Sequence, residues 1–139
     1  MDIRYIIFAI GCSILTFLYM YLSFLVILQR RKYHLAYLTN EDKAFIARFR
    51  AHANFAEYVP LTLILMAISI VFQIHYLALT VLMLALIIAR IFHAYGLVKM
   101  ERKKRFNYRF YSVATTFVIM ASLAIYNLVK GILILCIVA

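Results

Sequence analysis

Four long apolar runs, separated by short polar or basic connections, account for nearly the whole chain. The first covers about residues 5–28 and contains no charged side chain. The second begins near Lys43 and continues to about Phe72, with its latter half, Leu61 to Val71, apolar on every side. The third covers about 76–98 and the fourth about 108–129. A helix needs roughly 20 apolar residues to cross a hydrocarbon core, and within lipid a helix satisfies its own backbone polar groups. The pattern therefore predicts an all-α integral membrane protein, a bundle of four transmembrane helices forming one domain over residues 1–139.

The breaks between runs carry their own signals. Gln29-Arg30-Arg31-Lys32 ends the first run, and Thr39-Asn40-Glu41-Asp42 forms the expected turn, with Thr39 or Asn40 capping the second helix. Gln73-Ile74-His75 is the expected turn between the second and third. Lys130-Gly131 interrupts the fourth, leaving a remainder too short to span alone, which is expected either to extend the helix beyond the membrane or to fray. Pro60 falls inside the second run, where it cannot donate to the Ala56 carbonyl, so a kink is expected beside Glu57.

Composition agrees with this reading. Apolar residues make up 68% of the chain and its mean hydropathy is +0.97, more than a soluble core requires. A net charge of +10 would suggest nucleic acid in a soluble domain. Here the basic residues alternate with spans instead of lining one groove, so no nucleic-acid partner is expected. Arg30, Arg31, Lys32 and Lys43 lie between the first two runs, and Lys99, Arg102, Lys103, Lys104 and Arg105 between the last two. Only Arg4 and Lys130 flank the opposite side. Basic connections stay cytoplasmic, which places both termini on the non-cytoplasmic side. Cys12 and Cys136 lie within apolar runs without redox or metal spacing, and no histidine–carboxylate cluster has metal spacing. No metal is expected.

The polar residues that do enter the spans are the candidates for chemistry. Arg50, Asn54 and Glu57 sit at i, i+4 and i+7, on one face of a helix. That face is too polar for lipid and must look into protein or a wet cleft. Arg90 and His93 share a face of the third helix, at a depth that suggests an ion pair between Glu57 and Arg90. His52 points away from Arg50 and is expected to bond a neighbouring helix. Several arginines around one deep carboxylate suit an anion that also carries an amine, because arginine binds carboxylates with paired hydrogen bonds. A guanidinium beside a thiol would also stabilise its thiolate. No cysteine lies in this region, so such a thiol would come from a cosubstrate.

Three stretches carry a family resemblance. Arg50-Ala51-His52-x-Asn54-x-x-Glu57-x-x-Pro60 resembles the second-helix signature of the MAPEG superfamily, the membrane-associated proteins in eicosanoid and glutathione metabolism. Arg90-Ile91-Phe92-His93-Ala94-Tyr95-Gly96 resembles its third-helix signature, and Arg30-Arg31-Lys32 the basic end of its first helix. The small bacterial branch is the most similar. The resemblance implies a homotrimer in a bacterial inner membrane, with glutathione as cosubstrate in clefts between subunits near the cytoplasmic face. It assigns glutathione binding to Arg30, Arg31, Arg50, Asn54 and Glu57, with Arg90 and His93 in support. It assigns thiol activation to Arg109, with Arg105 as the alternative.

The chain departs from the prostaglandin-synthase branch at two positions. Ala53 stands in place of an arginine and Leu97 in place of a tyrosine, which removes glutathione contacts and points away from prostaglandin-type chemistry. The activity implied is a glutathione transferase or peroxidase acting on lipophilic electrophiles or hydroperoxides. One rival is a non-enzymatic membrane accessory or assembly protein whose buried charges only register helices. Another is a small transporter or proton relay, disfavoured by the absence of an inverted repeat in the sequence.

Overall fold

The computed structural model describes residues 2–34, 43–99 and 106–138, and they form four helices. These are α1 (Ile3–Lys32), α2 (Lys43–Val71), α3 (Tyr76–Lys99) and α4 (Phe106–Val138). Each is long and apolar enough to cross a membrane, which marks the chain as a multi-pass integral membrane protein. The expected cap at Thr39 or Asn40 and the turn through Asp42 lie outside the described residues, as do most of the basic residues between α3 and α4.

Local chemistry explains the helix ends. Asp2 caps α1 by accepting from the Arg4 backbone N–H at 2.9 Å. The Arg4 side chain binds the same carboxylate, and this hydrogen bond holds Asp2 below its usual pKa. Arg4 also donates to the Ile74 carbonyl at 3.3 Å and to the Gln73 side chain, tying the start of α1 to the α2–α3 turn. That turn is a Schellman motif, in which Ile74 N–H donates to Ser69 O at 2.9 Å and Gln73 N–H to Ile70 O at 3.0 Å. Gln73 takes the left-handed position with φ 61°. Basic residues Arg30, Arg31 and Lys32 fill the last turn of α1, where the helix dipole favours them and the helix outlasts its apolar run.

α4 does not stop near Val129 but continues through Lys130 and Gly131 to Val138, so of the two outcomes open for the last segment it takes extension. Gly131 has no neighbour within 4 Å, and the residues after it are apolar, so nothing forces the helix to stop. α2 likewise runs unbroken through Pro60.

α2 and α3 form the centre of the bundle. Each packs against all other helices, whereas α1 and α4 do not meet among the described residues. Lipid is as apolar as leucine, so helices in a membrane associate through close packing and internal hydrogen bonds. Leu22, Phe55, Met66, Leu86 and Leu123 bring all four helices into one buried core. Gly11 lets α1 approach Met83 of α3: a Cβ there would lie 2.7 Å from Met83 Cε and closer still to its Sδ. Hydroxyls within the spans bond back to the preceding turn, as Thr62 does to Tyr58 O at 2.7 Å and Ser69 to Leu65 O at 2.9 Å. Between helices, Asn127 Nδ2 donates to Leu65 O at 2.9 Å and Tyr126 Oη to Phe72 O at 2.9 Å, fixing α4 against α2.

Candidate functional site

At the other end of the bundle, α2, α3 and α4 diverge around a cleft of about 540 Å³. The one-face spacing on α2 brings Arg50, Asn54 and Glu57 to it, α3 contributes His93 and Leu97, and α4 contributes Arg109 and Phe110. Arg50 and Glu57 are exposed, Asn54 and Arg109 half-buried. The cleft therefore presents two guanidinium groups, one carboxylate, one amide and one imidazole. Such a set binds acceptor-rich anions that also carry a cationic group.

His93 is 5% exposed, and among the described residues neither ring nitrogen has a hydrogen-bond partner. The Arg109 main chain lies close to the ring without a hydrogen bond of good geometry. A buried imidazole with both nitrogens unspent is costly, and a polar ligand in the cleft would satisfy it. Gly96, one turn on in α3, packs against Arg109: a Cβ there would make ordinary contact with Arg109 Cγ, at 3.6 Å.

Arg90 is buried, 1% exposed, and does not line the cleft. One terminal nitrogen donates to Asn54 Oδ1 at 3.0 Å. The other reaches the Ser112 carbonyl at 3.3 Å and the Thr116 hydroxyl. Its Nε has no partner among the described residues. The expected Glu57–Arg90 ion pair is absent: among the described residues the ion pair present is Arg4–Asp2. Glu57 lies one turn beyond Asn54 and opens on the cleft, while α4 supplies the acceptors that Arg90 needs in a membrane.

Besides Arg90, the structure leaves Arg30 and Arg31 apart from the cleft. Arg30 and Arg31 are exposed at the end of α1, which does not touch α4, so a single chain does not bring them to Arg109. Arg105 lies outside the described residues. Ala53 and Leu97, the two departures from the prostaglandin-synthase pattern, both line the cleft wall. Ser112 and Thr116 are site-supporting residues that sequence reading did not single out. The available signal was Arg90 itself, since an arginine in a span needs several acceptors and a neighbouring span must carry them.

His52 sits on the opposite face of α2. Its Nε2 lies 3.0 Å from Ser23 Oγ, and its ring stacks on Tyr19 with centroids 4.9 Å apart. Ser23 spends its proton on the Tyr19 carbonyl, so His52 is the donor in that pair. Its role is to join α1 to α2. No group of metal-ligating side chains occurs among the described residues.

The MAPEG family model matches residues 8–129, which includes every described element of the cleft. Among curated proteins none matches the chain.

Proposed function

The chain belongs to the MAPEG family, and on that footing we propose that it is a membrane-bound glutathione-dependent transferase or peroxidase. One observation carries this reading: Arg50, Asn54, Glu57, His93 and Arg109 converge from three helices on one cleft, with the buried His93 nitrogens unpartnered among the described residues. Arg50 and Asn54 would hold carboxylate or carbonyl oxygens of glutathione, and Glu57 its ammonium. His93 would hydrogen-bond to the peptide part. Arg109 would stand against the sulfur.

In this mechanism the glutathione thiol gives its proton to water at the open end of the cleft, and the thiolate is paired with the Arg109 guanidinium. The sulfur then attacks an electrophilic carbon and the leaving group departs with the bonding electrons. With a hydroperoxide, sulfur takes the distal oxygen and releases an alcohol, and a second glutathione converts the sulfenic acid to disulfide and water. Positioning and charge stabilisation by the Arg109 guanidinium would supply the acceleration, since no protein side chain acts as nucleophile. The lipophilic substrate would enter from the bilayer.

The assembly belongs to the same proposal. In a homotrimer the exposed Arg30 and Arg31 of one copy would reach the open side of a neighbour's cleft. The membrane would be a bacterial inner membrane, with both termini on its outer side and the cleft near the cytoplasm. The buried Arg90, which ties α3 to Asn54 of α2 and to Ser112 of α4, is the observation that favours a purely structural, non-enzymatic rival.

Turnover separates the two. Purified protein is incubated with glutathione and 1-chloro-2,4-dinitrobenzene or cumene hydroperoxide, and thioether or alcohol is quantified by mass spectrometry. Product formation that falls at least about tenfold in Arg109→Ala supports the enzyme, since one charge-stabilising donor is worth that much or more. Product at the uncatalysed rate with both electrophile classes contradicts it.

A further inference from the structure

We infer that Arg90 is a positioning residue for the cleft: it grips the carbonyl end of the Asn54 amide, so that the amide nitrogen faces the ligand as a fixed donor. The identity of the ligand rests on the glutathione reading above; the clamp itself rests on geometry.

The orientation of Asn54 follows from donor and acceptor chemistry. A guanidinium carries only donors, so the Asn54 atom 3.0 Å from Arg90 must be the amide oxygen, whichever way the amide is drawn. Oxygen and nitrogen of an amide diverge from the same carbon. Arg90 lies outside the cleft and Asn54 lines it, so the nitrogen is the end turned toward the cleft. No hydrogen bond from that nitrogen is made to a described residue.

The clamp has a second side. Arg90 is held by the Ser112 carbonyl and the Thr116 hydroxyl, both on α4, and Ser112 lies one turn from Arg109. A single buried cation thus sets the Asn54 donor on α2 and registers α4, which carries Arg109, one of the cleft's two guanidinium groups. No carboxylate neutralises Arg90 among the described residues. Its charge therefore polarises the Asn54 amide and strengthens the Nδ2–H donor. The Asn54 subsite is specific for an acceptor, a carboxylate or peptide carbonyl oxygen, and rejects a donor in that place.

Asn54→Asp tests this directly, because it keeps the shape and the Arg90 contact but removes the donor. Melting temperatures are compared for wild type, Asn54→Asp and Asn54→Ala, and again with Arg90→Met in each background. Glutathione is titrated calorimetrically into the folded variants. The clamp predicts that Asn54→Asp melts at or above wild type, that Asn54→Ala melts lower, and that the gap between the two closes with Arg90→Met. Glutathione affinity of Asn54→Asp is expected to fall roughly tenfold or more. The inference is overturned if Asn54→Asp melts as low as Asn54→Ala, or if it binds glutathione as wild type does. If wild type itself takes up no glutathione, the functional reading fails, and the melting comparison still decides whether Arg90 holds residue 54.

Discussion

Arg90 in α3 and Thr116 in α4 are joined at almost complete burial, each about 1% exposed, with the hydroxyl accepting from the guanidinium. The same hydroxyl donates to Ser112 O at 3.0 Å, so both of its hydrogen-bonding functions are in use. Thr116→Val keeps the shape and removes both. The expected loss is about 1–3 kcal/mol, the cost of leaving a buried charged donor short of a partner. Thr115→Val, on the exposed side of α4, is expected to change stability by less than about 0.5 kcal/mol. Reversible unfolding in mixed micelles compares the two.

A second prediction concerns the α1–α3 contact. Gly11 leaves no space for a side chain without moving Met83, which is 2% exposed. Gly11→Leu is expected to destabilise by about 1–3 kcal/mol through overpacking, and Met83→Ala in the same chain to restore part of it. Gly131→Ala is the control. With nothing within 4 Å, it is expected to be neutral or to gain up to about 1 kcal/mol from helix propensity. Thermal melting of the three variants beside wild type checks the order.

The α3–α4 contact at the cleft gives a third. Gly96→Ala would place its Cβ at ordinary contact distance, 3.6 Å, from the Arg109 stem, and glutathione binding should persist. Gly96→Leu would push the stem away. Its glutathione affinity is expected to fall by roughly tenfold or more, the loss of one well-made charged hydrogen bond. Equal affinities for Gly96→Leu and wild type would mean that Arg109 does not touch the ligand.

The four helices were legible because lipid imposes one simple demand, a long apolar run with its own backbone satisfied. The α2 face was legible for the same reason, since Arg50, Asn54 and Glu57 at helical spacing cannot all meet lipid. Partner choice was not legible. Depth matching suggested Glu57 for Arg90, but depth leaves rotation about the helix axis undetermined. Rotation is what turns Arg90 toward Asn54, Ser112 and Thr116 and leaves Glu57 on the cleft. The sequence leaves the end of α4 open between extension and fraying, because Lys130-Gly131 interrupts the apolar pattern; Gly131 stands in open space and the helix continues.

The central claim is that this cleft binds glutathione. Its most direct test is calorimetric titration of glutathione into the detergent-purified protein beside Arg50→Ala, whose substituted residue is exposed and should leave the fold intact. The account predicts saturable binding in wild type and its loss in the variant. No heat and no thermal shift at millimolar glutathione, in protein that melts cooperatively, would contradict it.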